Sequence, residues 1–594
     1  MQAATRNGTM GQMEVYGRLL AERFGYPAFR NGQAAVLEKL SETDVLGVMP
    51  TGSGKSLCYV LPAIAHGRTL VVSPLIALMQ DQVESLATAG VRAAFINSSL
   101  TRYQQNNTYL DFIGGRLDLL YVAPERFANE KFVAGLARHG VNLLAVDEAH
   151  CVSEWGHDFR PDYLTLGSVR QRLGSPRTLA LTATADPRVR KDIIDRLGIN
   201  GSTAQVVTSV DRPNLKFSVE RISRDEERRE WLRRYLSTRR GNSGIVYVRT
   251  RGGVGEIAAF LQDCGVRAAG YHAGMERDDR TRVQRQFTVD EVEVMVATNA
   301  FGMGVDKPDV RFVVHFNMPG RLESYYQEAG RAGRDGDPAD CILLYGPREA
   351  SAQQYFINKA HPKEDFVRAT WQRWLAEQAQ AQESVGPQFV VPRNEEDGLA
   401  ATIVALRASG LMDSSSLKLA SSDPEAPIDC ASIAEHKKYV EERLSHMVAY
   451  AESHSCRRAS ILRYFGEPAP AKCDSCDVCR GGPAATPSLS RKAATPLPAG
   501  EEGRRKGRTA LAKDSVGGDV ADDDPLFQEL RVWRRSRAER DGVAAFTVFS
   551  DRALRDIASR RPRTESELFR AWGVTVVKVS RYGDEVLAIV NAHA

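Results

Sequence analysis

A glycine-rich turn that ends in a lysine and a hydroxyl residue is suited to hold polyphosphate. Pro50-Thr51-Gly52-Ser53-Gly54-Lys55-Ser56 has that form, with an apolar run, Val45 to Met49, before it and a helical stretch after it. Glycines let successive backbone N–H groups curl around phosphate oxygens, Lys55 supplies charge to the β- and γ-phosphates, and the Ser56 hydroxyl can ligate Mg²⁺. Met49 stands where such a loop usually has its first glycine. Asp147-Glu148-Ala149-His150 closes a second apolar run, Leu143 to Val146. Ligands of parallel sheets gather at strand carboxyl ends. There Asp147 can hold Mg²⁺, and Glu148 can orient and deprotonate an attacking water. The chemistry of this set is hydrolysis of a nucleoside triphosphate.

Gln327, Arg331 and Arg334 follow one another at intervals of four and three. A helix through them would put all three on one face, and two guanidiniums there suit a phosphoryl group in transfer. They lie far along the chain from Lys55 and Glu148, so the expected nucleotide sits between two units that must close for hydrolysis. A third constellation is Cys473, Cys476 and Cys479, with Cys456 upstream across an expected helix. Four thiolates suit a closed tetrahedral Zn²⁺ site of structural type. A redox pair or an iron–sulfur cluster is the alternative. The other cysteines, at 58, 151, 264, 341 and 430, read as small apolar residues.

These groups need elements to hold them. The chain has 594 residues, 43% of them hydrophobic and 26% charged, which fits several folded domains. With 79 Lys and Arg against 75 Asp and Glu, the net charge of +4 does not mark a nucleic-acid binder, so local patches must carry such binding. No apolar run is long enough to cross a bilayer, and the polar start is no secretory signal. Nine cysteines, an odd count without such a signal, argue against a disulfide scaffold and for a reducing cytosol.

From about Gly25 to Gly346, short apolar runs alternate with helical stretches. They include Thr69 to Val72, Leu179 to Thr182, Gly244 to Val248, Val292 to Ala297 and Val310 to Phe316. This is the pattern of parallel α/β sheets, too long for one, with Asp211-Arg212-Pro213-Asn214 as punctuation between two. The expected units are two parallel-sheet lobes (1–208 and 209–346), a helical insertion (347–445), a zinc module (446–480), a disordered linker (481–522) and a small helical domain (523–594). In the insertion, Phe366, Trp371, Trp374 and Leu375 recur at helical spacing.

The motifs, in this order, resemble those of superfamily-2 helicases, among which the Thr-Gly-Ser-Gly-Lys-Ser loop is common. More specific segments resemble the RecQ family of DNA helicases. Phe24 to Gln33 is similar to its leading motif, which implies that Tyr26, Arg30 and Gln33 hold adenine. Ser73 to Gln82 and Ala123 to Arg126 resemble strand-tracking motifs. Leu181-Thr182-Ala183-Thr184-Ala185 resembles the motif linking hydrolysis to unwinding. Cys151 to Pro161 looks like the family's aromatic-rich loop, which assigns DNA contact and coupling to Trp155, His157, Phe159 and Arg160. Aromatic rings there offer stacking surfaces to bases, and Arg160 adds a cation. Ala297 to Asp306 matches a second-lobe motif and assigns Thr298 and Asn299 to DNA contact. The cysteine spacing, with Arg457-Arg458 and Tyr464-Phe465-Gly466-Glu467, resembles the RecQ zinc subdomain. Residues from Leu526 to Val590 resemble the small domain shared by helicases and RNase D (HRDC).

The resemblance implies two RecA-like lobes, ATP, Mg²⁺ and Zn²⁺, and 3′-to-5′ translocation on single-stranded DNA with unwinding of duplex or branched DNA. It implies recombination and repair, with single-strand-binding and recombination proteins as partners, in the cytoplasm and at the nucleoid if the source is bacterial. An RNA helicase, or an ATP-gated translocase or annealing scaffold without strand separation, is the alternative. The sequence departs from the pattern in two places. No winged helix follows the zinc module; residues 359–424 are either a displaced one or a helical spacer. The glycine-rich turn before Tyr582-Gly583 is replaced by Trp572 to Lys578. Arg531, Arg534, Arg535 and Arg537 either contact phosphates or form a solvated helix face.

Overall fold

The computed structural model describes residues 4–74, 76–153, 161–301, 307–381, 396–412, 419–481, 524–541, 543 and 545–593. Short Val- and Leu-rich tetrads buried along their whole length form the centre of a parallel sheet, because such strands need cover on both faces. The first sheet has β1 (Val45–Val48), β2 (Thr69–Val72), β3 (Ala93–Ile96), β4 (Leu119–Val122), β5 (Leu143–Val146), β6 (Arg177–Thr182) and β7 (Ala204–Val207), in the order β3-β4-β2-β5-β6-β1-β7. The second has β8 (Leu215–Arg221), β9 (Gly244–Tyr247), β10 (Ala268–Tyr271), β11 (Val294–Ala297), β12 (Phe312–His315) and β13 (Ala339–Tyr345), in the order β10-β11-β9-β12-β13-β8. All pairings are parallel. Each sheet has an apolar cluster on either face. The two α/β lobes expected from the alternation are present, and residues 208–214 join them.

After β13 the chain is helical over Arg348–Ala360, Glu364–Ala381 and Glu396–Ala408. Trp371 and Trp374 pack with Leu406, Leu411 and Met412 in a separate small core, and Gly410 (φ +70°) turns the chain into an antiparallel bridge between Met412 and Leu419. The helix Ala431–Glu452 and the short helix Arg457–Tyr464 then return to the second lobe. Tyr439, Leu444, Met447, Tyr450, Ile461 and Leu462 join the same cluster as Phe217 and Tyr325, so the cysteine module shares that lobe's core.

Residues 482–523, nearly all of the expected linker, lie outside the described residues. The C-terminal unit is all helical, with the long helices Pro525–Asp541 and Val576–Ala592 packed round Phe527, Phe549, Leu554 and Ile557. Its arginines are neither an open phosphate site nor one solvated face. Arg534 is buried, bonding Asp551 (2.7 Å) and the Phe549 carbonyl (2.8 Å), and Arg537 bonds Glu585 (2.6 Å). Arg531 stands 4.0 Å from Asp551, and Arg535 alone of the four is exposed. Among the described residues, no helix is long and apolar enough to cross a membrane.

Candidate active site and metal centre

β1 delivers the phosphate loop. Gly52 and Gly54 both take left-handed backbone (φ +82° and +79°), open to glycine at little cost. A Cβ on Gly54 would stand 2.7 Å from Gln33 Nε2. Gln33 explains the closeness: its Nε2 donates to the carbonyls of Ser53 (3.2 Å) and Gly54 (2.9 Å), while its Oε1 accepts from the Arg30 N–H (2.8 Å). Arg30 donates to the Gly52 carbonyl (2.8 Å), and its guanidinium lies 5.3 Å from the centre of the Tyr26 ring. Tyr26, Arg30 and Gln33 thus stand against the phosphate loop formed by Thr51 to Ser56. Among the described residues the buried Ser53 hydroxyl has no hydrogen-bond partner, as suits a group that meets a phosphate oxygen.

β5 delivers the carboxylates, and β6 runs between β5 and β1. Thr182, the last residue of β6, therefore lies between phosphate loop and carboxylates. Asp147 is 9% exposed. Burial first, then the neighbouring Glu148 charge, push its carboxyl up to about 6, against the pull of Lys55. A buried carboxylate in the field of the Lys55 ammonium suits a divalent cation bound to phosphate. Glu148 takes a left-handed backbone (φ 47°, ψ 48°), a strain of about 1–2 kcal/mol for a residue with a Cβ. Its Oε2 is 3.3 Å from His150 Nδ1, which is 3.0 Å from Thr182 Oγ1. Thr182 Oγ1 in turn donates to the Thr184 carbonyl at 3.2 Å.

The Asp147 shift has a stability consequence. Its folded value lies above the ordinary one, so its ionisation opposes folding at pH above about 6, and the opposition fades as pH falls toward 4. Asp147→Asn is therefore expected to stabilise the metal-free protein at pH 7.5 by about 1–3 kcal/mol, with the gain vanishing near pH 4. Melting temperatures of both chains across that range check this; a gain independent of pH would contradict it.

The second lobe supplies Gln327, Arg331 and Arg334, but not from one helix face. The helix Leu322–Ala329 carries Gln327 and stops at Gly330. Gly333 (φ +55°) helps to fold the following turn, which holds both arginines. The turn still faces the first lobe: a Cβ on Gly52 would lie 3.3 Å from Arg334 Cγ and 3.6 Å from Arg212 Nη1. Arg331 is 6% exposed. Thr298 is buried just past the end of β11, with Asn299 exposed after it. Trp155, His157, Phe159 and Arg160 lie outside the described residues, though the chain leading into them, through Ser153, is buried beside the carboxylates.

Two side chains left out of the sequence-derived set lie within it. His150 stands in the Asp147–His150 run itself, and its total burial between Glu148 and Thr182 is what the sequence lacked. Arg212 read only as punctuation; it reaches both lobes. The C-terminal unit also meets the cleft. The Trp572 ring is 5.9 Å from that of Tyr26, Arg552 lies 4.4 Å over Trp572, and Arg555 pairs with Asp337 of the second lobe. The altered turn is thus the part that touches the leading segment.

At the cysteines, the Sγ atoms of Cys456, Cys473, Cys476 and Cys479 all lie within 4.8 Å of one another. A tetrahedron with Zn–S bonds of about 2.3 Å has edges of about 3.8 Å, so the set fits Zn²⁺ after small adjustment. Burial would raise the Cys473 thiol, but the backbone N–H groups of Ser475 and Cys476 outweigh it and bring it down to about 6, favouring the thiolate. Arg457 and Asp477 form a buried ion pair (3.1 Å) beneath the site, and Asp477 accepts from the Val219 N–H of β8 (3.1 Å).

Four known families match parts of the chain, and the zinc-binding match begins inside the expected helical insertion. Residues 30–193 match the DEAD/DEAH box helicase family, 227–336 the helicase conserved C-terminal domain, 413–480 the RecQ zinc-binding domain and 523–590 the HRDC domain. The ATP-dependent DNA helicase RecQ of Haemophilus influenzae is 31% identical over 97% of this chain and 95% of its own. The protein of that name from Bacillus subtilis is 33% identical over 97% and 98%. The ATP-dependent helicase SGS1 of Saccharomyces cerevisiae is 43% identical over 57% of this chain and 24% of its own.

Proposed function

Because the chain belongs to the RecQ family of ATP-dependent DNA helicases, we propose that it uses ATP to translocate 3′-to-5′ on single-stranded DNA and to unwind duplex and branched DNA. The observation that carries this reading is the placement of Arg334, from one lobe, over Gly52 of the other lobe's phosphate loop. Adenine sits by Tyr26, Arg30 and Gln33, and the phosphates lie in the loop from Thr51 to Ser56, with Lys55 on the β/γ oxygens. Ser56 and Asp147 would hold Mg²⁺, which would offset phosphate charge when bound. Glu148 orients the water and takes its proton. Arg331 and Arg334 meet charge that grows in the transferred phosphoryl group, with Gln327 beside them. His150 keeps Glu148 in register with Thr182, so a strand felt by the aromatic loop or by Thr184 reaches the carboxylate through one imidazole. Thr298 and Asn299 extend the track onto the second lobe. The cellular reading is recombination and repair in the cytoplasm, on nucleoid DNA, alongside single-strand-binding and recombination proteins.

Strand separation on duplexes with either a 3′ or a 5′ single-stranded tail tests this. Unwinding is expected only from the 3′ tail and only with ATP. DNA-stimulated turnover with no separation would instead favour a translocase or annealing scaffold, and stronger stimulation by RNA would overturn the choice of substrate.

A further inference from the structure

Arg212 lies in the seven-residue link 208–214, after the last strand of one sheet and before the first of the next. Its guanidinium donates to four backbone carbonyls. Nη1 bonds Thr51 of the phosphate loop and Gly330 at the end of the helix that carries Gln327, both at 3.1 Å. Nη2 bonds Ala332 (2.9 Å) and Gly333 (2.7 Å) in the turn that carries Arg331 and Arg334. Carbonyls just past a helix end lack an N–H from a following turn and attract a cation. Here one side chain collects two of them, at Gly330 and Ala332, joins the Gly336 N–H on the Gly333 carbonyl, and uses what remains of its fork to take hold of the opposite lobe. Among the described residues no carboxylate pairs with Arg212, and burial together with the nearby Arg334 charge makes its cation less favourable than usual. The site thus keeps a costly charge for its geometry: a planar fork can meet four acceptors at once, and an ammonium cannot.

The backbone on either side is fixed. Asn214 donates to the Gly333 (2.9 Å) and Asp337 (2.8 Å) carbonyls, Glu467 accepts from the Val210 N–H (2.6 Å), and Asp211 pairs with Arg458. The side chain is held where it is, not left to find the carbonyls.

We propose that Arg212 is a positioning residue for ATP turnover: it ties the arginine turn of the second lobe to the phosphate loop of the first and so sets where Arg331 and Arg334 meet the γ-phosphate. It has no need to touch the nucleotide. This rests on the reading of Lys55 and the two arginines as the hydrolytic machinery.

The test uses the full-length protein and compares Arg212→Lys with Asn214→Ala and Lys55→Ala. Phosphate release with saturating single-stranded DNA, affinity for a fluorescent non-hydrolysable ATP analogue, and melting temperature are measured for each. For Arg212→Lys, turnover is expected to fall about 100-fold, the loss that a misplacement of about 1 Å brings. Analogue affinity should change less than about threefold, which separates positioning from binding. Asn214 steadies the same turn without reaching the first lobe, so Asn214→Ala should keep turnover within about threefold. The proposal is overturned if Arg212→Lys keeps wild-type turnover, if analogue affinity falls in step with turnover, or if Asn214→Ala loses as much. Loss of folding in Arg212→Lys also overturns it, since the residue would then be a bond of the fold. Wild-type turnover in Lys55→Ala would sink the underlying site assignment, a result distinct from all of these.

Discussion

Replacing Lys55 by alanine is expected to lower DNA-stimulated ATP turnover by about 10³-fold, or about 4 kcal/mol of transition-state stabilisation. Two physical roles are lost together. The ammonium no longer meets the β/γ oxygens, and Asp147, whose elevated carboxyl Lys55 holds down, ionises less readily. The second effect predicts a signature. The residual activity of Lys55→Ala should fall off on the acid side at a higher pH than wild-type activity does. Phosphate release measured from pH 5.5 to 8 checks both parts. Wild-type turnover would remove Lys55 from the site; loss of turnover with an unmoved acid limb would remove its electrostatic link to Asp147.

Removing zinc is expected to cost more of the fold than the size of its module suggests. Metal binding by small thiolate sites is worth about 10–16 kcal/mol and is folding energy when no preformed site exists without it. Here the helix Arg457–Tyr464 places Ile461 and Leu462 in the second lobe's core, and Asp477 is hydrogen-bonded to the backbone of β8. A module that loosens therefore takes an edge strand with it. Cys476→Ser, which replaces a wholly buried ligand, should bind less than one equivalent of zinc and melt at least about 10 °C lower, the shift expected for a loss of a few kcal/mol in a unit of this size. Full zinc content, or unchanged melting, would contradict this.

The phosphate loop and its partner carboxylates were legible because their chemistry is local: each sits at the end of an apolar run that could only be a buried strand. The cysteines were legible by spacing alone. What escaped were features set by distant contacts. The edge strands Ala93–Ile96, Ala204–Val207 and Ala268–Tyr271 are only partly buried, so their composition is diluted and carries little periodicity. The helix expected through Arg331 and Arg334 fails because glycines at 330 and 333 break it, and intervals of four and three fit a turn as well as a helix face. Arg534 and Arg537 read as phosphate ligands or solvated charges because their partners, Asp551 and Glu585, come from other helices. His150 and Arg212 gain their places only when β6 lies beside β5 and when the two lobes meet.

The bonds between the zinc module and the residues 209–211 have a mechanical meaning. The module cannot leave the second lobe without exposing a shared apolar core, whereas Arg188–Glu435 and Arg443–Asp186, which reach the first lobe, are ion pairs that can part and re-form. Module and second lobe thus behave as one plate. Glu467 and Arg458 fasten that plate to Ser209, Val210 and Asp211, and the ring of Pro213 locks its own φ. On the other side, the Thr208 N–H and hydroxyl both bond the Val48 carbonyl of the first lobe (2.9 and 3.2 Å), so the two fastenings meet between Thr208 and Ser209. A change of angle between the lobes has to be taken up at that join, with the zinc-bearing half as the mount and the first lobe as the arm.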